Sequence, residues 1–262
     1  MNAARAFPHF LAVLAAAHIV TVPALGEETP AAGEPLSNRI RGDVGVLADK
    51  EQSPIKGDNT SLLPLPFAYF DYGRMYARLD TFGIKTLPVG YGYLELAGRV
   101  KFDGYTAGSN AALKGIGDRL NSVPLGLGTF QLTPVGGFFL YALHDINRSQ
   151  GNIFEADYVA EIEFWGMTLY PETGVEYYTS QYNRYYYGVS QAQAAASGYA
   201  AYGPQGSAVP FLSMWLEVPV MKNWNADFYL RRKWLGPAIA NSPLVGTRHV
   251  DGGFIAFVRH FE

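Results

Sequence analysis

The sequence predicts an all-β fold, an antiparallel transmembrane β-barrel of 10–12 strands, and three observations carry the prediction. The first is alternation. From Glu155 to Phe164, Glu155, Asp157, Glu161 and Glu163 point one way, and Phe154, Ala156, Tyr158, Ala160, Ile162 and Phe164 the other. Successive strand residues face opposite sides, so this strand has one wet and one apolar face. Leu96, Val100 and Phe102 stand in the same way against Glu95, Arg99, Lys101 and Asp103. The second is rhythm, because short turns alternate with long polar loops, as in outer-membrane barrels. The third is an export signal with no long apolar run after it. Arg5 precedes the apolar segment Phe10 to Val20, and Ala24-Leu25-Gly26 offers small residues for cleavage.

Residues 1–26 therefore read as a signal peptide, 27–38 as a periplasmic lead-in rich in Glu, Pro and Ala, and 39–262 as the barrel. The first strand is expected from Arg39 to Ala48. Leu63 to Leu87 is hard to divide, since Gly73, Asp80 and Gly83 can each mark a turn or a bulge. One strand over Leu63–Asp80 gives ten in all and further division gives twelve; an odd count would put a long loop on the wrong side. The strand Tyr91–Asp103 follows, then a loop to Asn121. Hairpins are expected for Val123–Leu132 with Gly137–Ile146, for Phe154–Leu169 with Val175–Tyr187 around Pro171–Gly174, and for Val209–Val220 with Trp224–Leu235. Val250 to Phe261 closes the set.

The chain of 262 residues has a net charge of -3, which excludes a general nucleic-acid binder. Only 16% of residues are charged and 15% are aromatic, a mix that suits a protein solvated partly by lipid. There is no cysteine, so disulfides, thiolate metal sites and cysteine nucleophiles are excluded.

Chemical candidates are few. His144 and Asp145 are a tempting pair, but neighbours on a strand point to opposite faces and cannot act as base and orienter. His249 and His260 fall at opposite ends of the last strand, too far apart for one metal. The Glu155–Glu163 carboxylates read either as a cation-favouring pore wall or as partners of Arg39, Arg41, Arg99, Lys101, Arg184, Arg231 and Lys233 in a filled lumen, and the second is expected. Tyr177, Tyr178, Tyr182 and Tyr185–Tyr187 are expected in an interfacial belt and in cross-strand packing, with Trp165, Trp215, Trp224 and Trp234 supporting the belt. No catalytic, cofactor or metal residue is assigned, and no phosphate-cradling glycine motif is present.

Two loop segments carry a family resemblance. One is Tyr186-Tyr187-Gly188-Val189-Ser190 with Gln193, Ala194, Ala195, Ser197, Gly198 and Tyr202. The other is Leu235-Gly236, Ala238, Ala240 and Asn241-Ser242-Pro243-Leu244-Val245, where Pro237 and Asn241 replace acids of the pattern. Leu63-Pro64-Leu65-Pro66-Phe67 and Phe70-Asp71-Tyr72 add to them. In this order they resemble the MltA-interacting protein (MipA/OmpV) family. The resemblance implies a non-enzymatic barrel in the cell outer membrane, in contact with membrane lipid, acting as a scaffold for a murein transglycosylase and a murein synthase. It transfers no catalytic residue and no cofactor. The alternatives are a small-solute channel or uptake barrel, and, third, a barrel enzyme dependent on His144.

Overall fold

The computed structural model describes residues 38–58, 62–108 and 110–262. The expected signal peptide and nearly all of the lead-in lie outside them. The described chain forms a closed antiparallel barrel of twelve wall strands, the larger of the two expected counts. The strands are β1 (Ile40–Glu51), β2 (Leu63–Tyr72), β3 (Met75–Arg78), β4 (Thr81–Val89), β5 (Gly92–Arg99), β6 (Leu125–Thr133), β7 (Gly136–His144), β8 (Asn152–Ala160), β9 (Ile162–Phe164), β10 (Met167–Tyr178), β11 (Ser207–Met221), β12 (Trp224–Trp234) and β13 (His249–Phe261). β8 and β9 share one register against β10 and count as one wall strand. β13 pairs with β1 and closes the ring.

The Leu63–Leu87 stretch divides at Gly73-Arg74 and at Leu79-Asp80. Gly83 marks no turn. It lies inside β4, and a Cβ there would come within 2.6 Å of the Tyr76 hydroxyl and 2.1 Å of the Leu96 carbonyl oxygen. Backbone packing, not chain reversal, is what demands glycine at that position.

The expected hairpin around Pro171–Gly174 is corrected. The chain reverses at Trp165-Gly166, where both residues have positive φ (49° and 75°), as a two-residue type I′ turn requires. Pro171 instead sits inside β10, where pairing to β8 stops at Val159 and pairing to β9 resumes at Ile162. Its missing N–H falls in that interruption. A second correction concerns Val175–Tyr187: β10 ends at Tyr178, and Ser180–Tyr187 is a helix, α1. Tyr182 and Tyr186 are four apart, so both fall on its buried face. Two more short helices, α2 (Gln191–Ser197) and α3 (Pro237–Ala240), shape the loops.

Short turns occupy one end of the barrel, expected to be periplasmic, and long loops the other, external end. The outward faces carry an apolar band. Val46, Leu96, Leu127, Leu140, Met214, Leu230 and Ile255 are all exposed on it, as lipid-facing residues of a barrel should be. No described helix is long and apolar enough to cross a membrane.

Candidate functional site

The lumen is built in layers. At the external end four loops fold together into a cap. Ile55 bridges Val245, Lys56 Nζ donates to Pro243 O (2.8 Å), and Asn110 Nδ2 donates to Lys56 O (2.9 Å). Ser242 Oγ donates to Tyr187 O (2.7 Å), and Tyr199 Oη to Ala112 O (2.9 Å). Tyr182, Tyr186, Leu113, Ile239 and Leu244 are fully buried at the centre. Tyr182 donates its hydroxyl to Asp103, Tyr186 to Leu120 O (3.1 Å), and Tyr105 to Tyr186 O (3.0 Å). Burial pushes all three phenols up, Tyr105 to about 12, so at neutral pH they stay protonated and serve as donors.

The tyrosine expectation is thereby half corrected. Tyr182, Tyr186 and Tyr187 pack inside the cap and are absent from the membrane belt, because the segment that carries them is helical and external. Tyr177 does face outward, with Phe154 opposite it on the neighbouring strand.

Beneath the cap lies a layer of buried ion pairs. Arg99 holds Glu155 in a two-point contact (2.6 and 2.8 Å), and Arg78 holds Glu95 in another (both 3.1 Å). Lys233 Nζ donates to both Glu176 oxygens (3.0 and 3.2 Å), with Lys101 at 3.7 Å and the Tyr178 hydroxyl donating to the same carboxylate. Gly128 leaves room for the Tyr141 ring, whose hydroxyl accepts from Arg78 (3.3 Å). Full pairing is the expected arrangement for charges withdrawn from water. Arg39, Arg41 and Arg184, also among the expected partners, are exposed and stand apart from this buried layer. Arg184 lies on α1, outside the lumen.

The next layer is an aromatic waist. Trp215, on β11, contacts Phe67 (5.6 Å between ring centres) and Tyr69 (5.5 Å) on β2, Phe254 (5.6 Å) on β13 and Tyr229 (6.3 Å) on β12. β2 is separated from β11 by three wall strands, β12, β13 and β1, so this side chain crosses the lumen. Trp215 therefore belongs to no interfacial belt. The residue shares its strand face with Ser213 and Glu217, which point inward, while Leu212 and Met214 face lipid.

Below the waist, toward the short turns, the lumen turns acidic. Glu217 and Asp227 lie opposite each other on β11 and β12, with Asp43 and Glu161 facing them. His260 Nδ1 meets Asp43 at 3.0 Å, and Asn225 Nδ2 donates to Glu217 at 3.0 Å. Neither carboxylate oxygen of fully buried Asp227 has a hydrogen-bond partner within normal geometry, and the indole N–H of Trp215, which faces it, has none either.

The histidine candidates separate as the strand geometry requires. His144 Nδ1 pairs with Asn152 Oδ1 (2.8 Å), whereas buried Asp145 turns away to accept from the N–H groups of Asn147, Arg148 and Ser149. Asp145 thus caps a loop. His249 and His260 stand at opposite ends of β13.

The profile of the family described as MltA-interacting protein MipA matches residues 44–261. The MltA-interacting protein of Escherichia coli K12 is 24% identical over 213 residues, covering 77% of this chain and 81% of its own. The outer membrane protein YiaT of the same organism is 25% identical over 181 residues, 68% of this chain and 73% of its own. The outer membrane protein OmpV of Vibrio cholerae is 32% identical over 160 residues, 60% and 61%. With the closed barrel and its apolar outer band, these matches place the protein in the outer membrane, and the chain belongs to the MipA family of outer-membrane β-barrels.

Proposed function

We propose that the barrel is a non-enzymatic scaffold that holds murein-cleaving and murein-synthesising enzymes at its periplasmic rim. The name of the Escherichia coli relative supplies the partner class. The observation that carries the reading is an arc of bare apolar side chains on three consecutive periplasmic turns. Tyr91 is 81% exposed on the β4–β5 turn, Val135 58% on the β6–β7 turn and Trp165 92% on the β9–β10 turn. Large rings at turn tips are costly to leave in water and suited to contact. A specific interface needs about 800 Å² per side, so the arc acts together with the lead-in residues Glu27–Pro35. The cap and the waist both obstruct the lumen, so the small-solute channel draws no support from them.

The test is a photo-crosslinking amino acid at Val135, between the other two on the arc, activated in intact cells, followed by identification of what is captured. Capture of a murein transglycosylase or synthase, abolished by Trp165→Asp/Tyr91→Asp in a barrel that still folds, is the expected result. Recovery of lipid and neighbouring barrels alone overturns the scaffold.

A further inference from the structure

The external face carries a cleft of about 710 Å³, within the size range of small-ligand sites. Its walls come from the β5–β6 loop and from the β10–β11 loop, and include Arg119, Arg184, Tyr185, Ser190, Gln193 and Tyr202. Several of these belong to the Tyr186–Tyr202 segment that carries the family resemblance, yet neither the barrel wall nor the periplasmic rim uses them.

Charge is the informative feature. Among the described residues, no carboxylate lines the cleft and neither arginine forms an ion pair. Arg119 donates to the backbone carbonyl groups of Tyr185, Asp118 (3.1 Å) and Gly117 (3.5 Å). Arg184 donates to Ser180 O (3.2 Å) and Ser180 Oγ (3.3 Å). All these acceptors are neutral. The nearby Asp118 is committed elsewhere, its Oδ1 accepting from Ala107 N at 2.7 Å. Two uncompensated guanidinium groups thus share one concave site in a chain of net charge -3.

The rest of the lining adds shape. The Arg119 guanidinium lies 5.5 Å from the centre of the Tyr185 ring. Tyr202 commits its hydroxyl to Ala238 O (3.0 Å), which fixes the ring. The walls are rigid: Val189 and Tyr202 exchange two backbone bonds of 2.8 Å, Ser190 and Gln193 form a capping box, and Gln193 Nε2 donates to Ile116 O. Such a site is organised before any ligand arrives. Guanidinium groups match carboxylate and phosphate oxygens, and the volume exceeds what a bare anion fills.

We propose that this cleft binds an acidic saccharide, a sugar bearing a carboxylate or a phosphate, with Arg119 and Arg184 on the anionic group and Tyr185 and Tyr202 beside the ring. The inference concerns the external face and stands apart from the periplasmic scaffold. Two sources share this chemistry, the phosphorylated core of the cell's own surface lipopolysaccharide and a uronic-acid polymer from outside.

Calorimetric titration of the purified full chain in detergent separates them. The probes are delipidated phosphorylated core oligosaccharide, trigalacturonate and, as neutral reference, maltotriose. At least one acidic probe is expected to bind about tenfold or more tighter than maltotriose, and Arg184→Glu to weaken it about tenfold while Arg184→Lys keeps most of the affinity. Gln191→Glu, which adds a carboxylate at the exposed rim and removes no hydrogen bond the structure contains, should produce the same loss if Arg184→Glu does not fold. Binding of the core alone assigns the cell's own envelope as source, and binding of trigalacturonate alone the outside. Equal affinity for maltotriose, indifference to both introduced carboxylates, or no binding of either acidic probe overturns the proposal.

Discussion

Trp215 contacts Phe67, Tyr69, Tyr229 and Phe254, so its removal leaves a cavity where opposite walls now meet. Trp215→Ala should destabilise the barrel by about 2–3 kcal/mol, less than the roughly 3–5 kcal/mol for a fully buried ring, because the side chain is only partly buried. The fall should appear as a lower temperature for loss of the compact, heat-modifiable gel form, with Trp215→Phe recovering most of it. Arg99 offers a complementary case. Its guanidinium is 6% exposed and holds Glu155, itself 9% exposed. Arg99→Ala strands that carboxylate and should cost about 3–5 kcal/mol, whereas Arg99→Ala/Glu155→Ala should cost less than the single change. Strict additivity in denaturation of the three variants would show that the pair is not the unit. Both residues were readable in part. Arg99 stands with Glu95 and Lys101 on the polar face of its strand. Trp215 is flanked on its own face by Ser213 and Glu217, and this parity is a stronger guide than the habit of tryptophan to sit at membrane interfaces.

The regular strands were legible because period-two alternation depends on one wet face, and β1, β5, β8 and β13 all have one. What escaped were features in which backbone geometry or a non-local partner decides. Trp165-Gly166 lacks the usual Asn-Gly signature, so Pro171–Gly174 looked the better turn. α1 reads as strand because its tyrosines are good strand formers, and only the spacing of Tyr182 and Tyr186 points to a helix. β2 shows a subtler device. Ala68 O accepts from Leu79 N, and backbone groups of one strand alternate sides, so Pro64 and Pro66 turn toward the same edge as Ala68. β3 ends below them, and among the described residues no strand pairs with that edge. The two prolines remove donors that would otherwise invite another strand. Pro64→Val/Pro66→Val should therefore raise the fraction of dimer on native gels, and an unchanged monomer would remove this role. The cap makes a prediction of its own. Its phenols ionise at higher pH in the folded than in the unfolded state, because burial raises Tyr105, Tyr182 and Tyr186. The stabilisation this linkage brings is complete below about pH 10, the ordinary phenol value, and falls as pH rises through about 12. Hydrogen exchange of the cap amides should accelerate over that window, while wall amides stay protected.

At the scale of the whole molecule, the layers oppose free passage in series. The cap seals the mouth through contacts among four loops and Trp215 spans the waist, while the ion pairs between them line the upper lumen. The intact protein in planar bilayers should accordingly show no steady open level. Either obstruction alone should suffice, so Trp215→Ala or removal of residues 180–206 by itself should leave conductance near zero. Combining them should give a measurable pore. Its selectivity follows from the layer below the waist, where Asp227, Glu217, Glu161 and Asp43 gather around the lumen. Confined carboxylates concentrate cations and repel anions. The double variant should therefore favour potassium over chloride, and Glu217→Gln added to it should reduce that preference without closing the pore. A steady conductance in the unmodified barrel would contradict the obstruction and return transport to the front. An anion-selective double variant would instead show that the upper arginine and lysine layer, and not the acidic one, controls what the lumen admits.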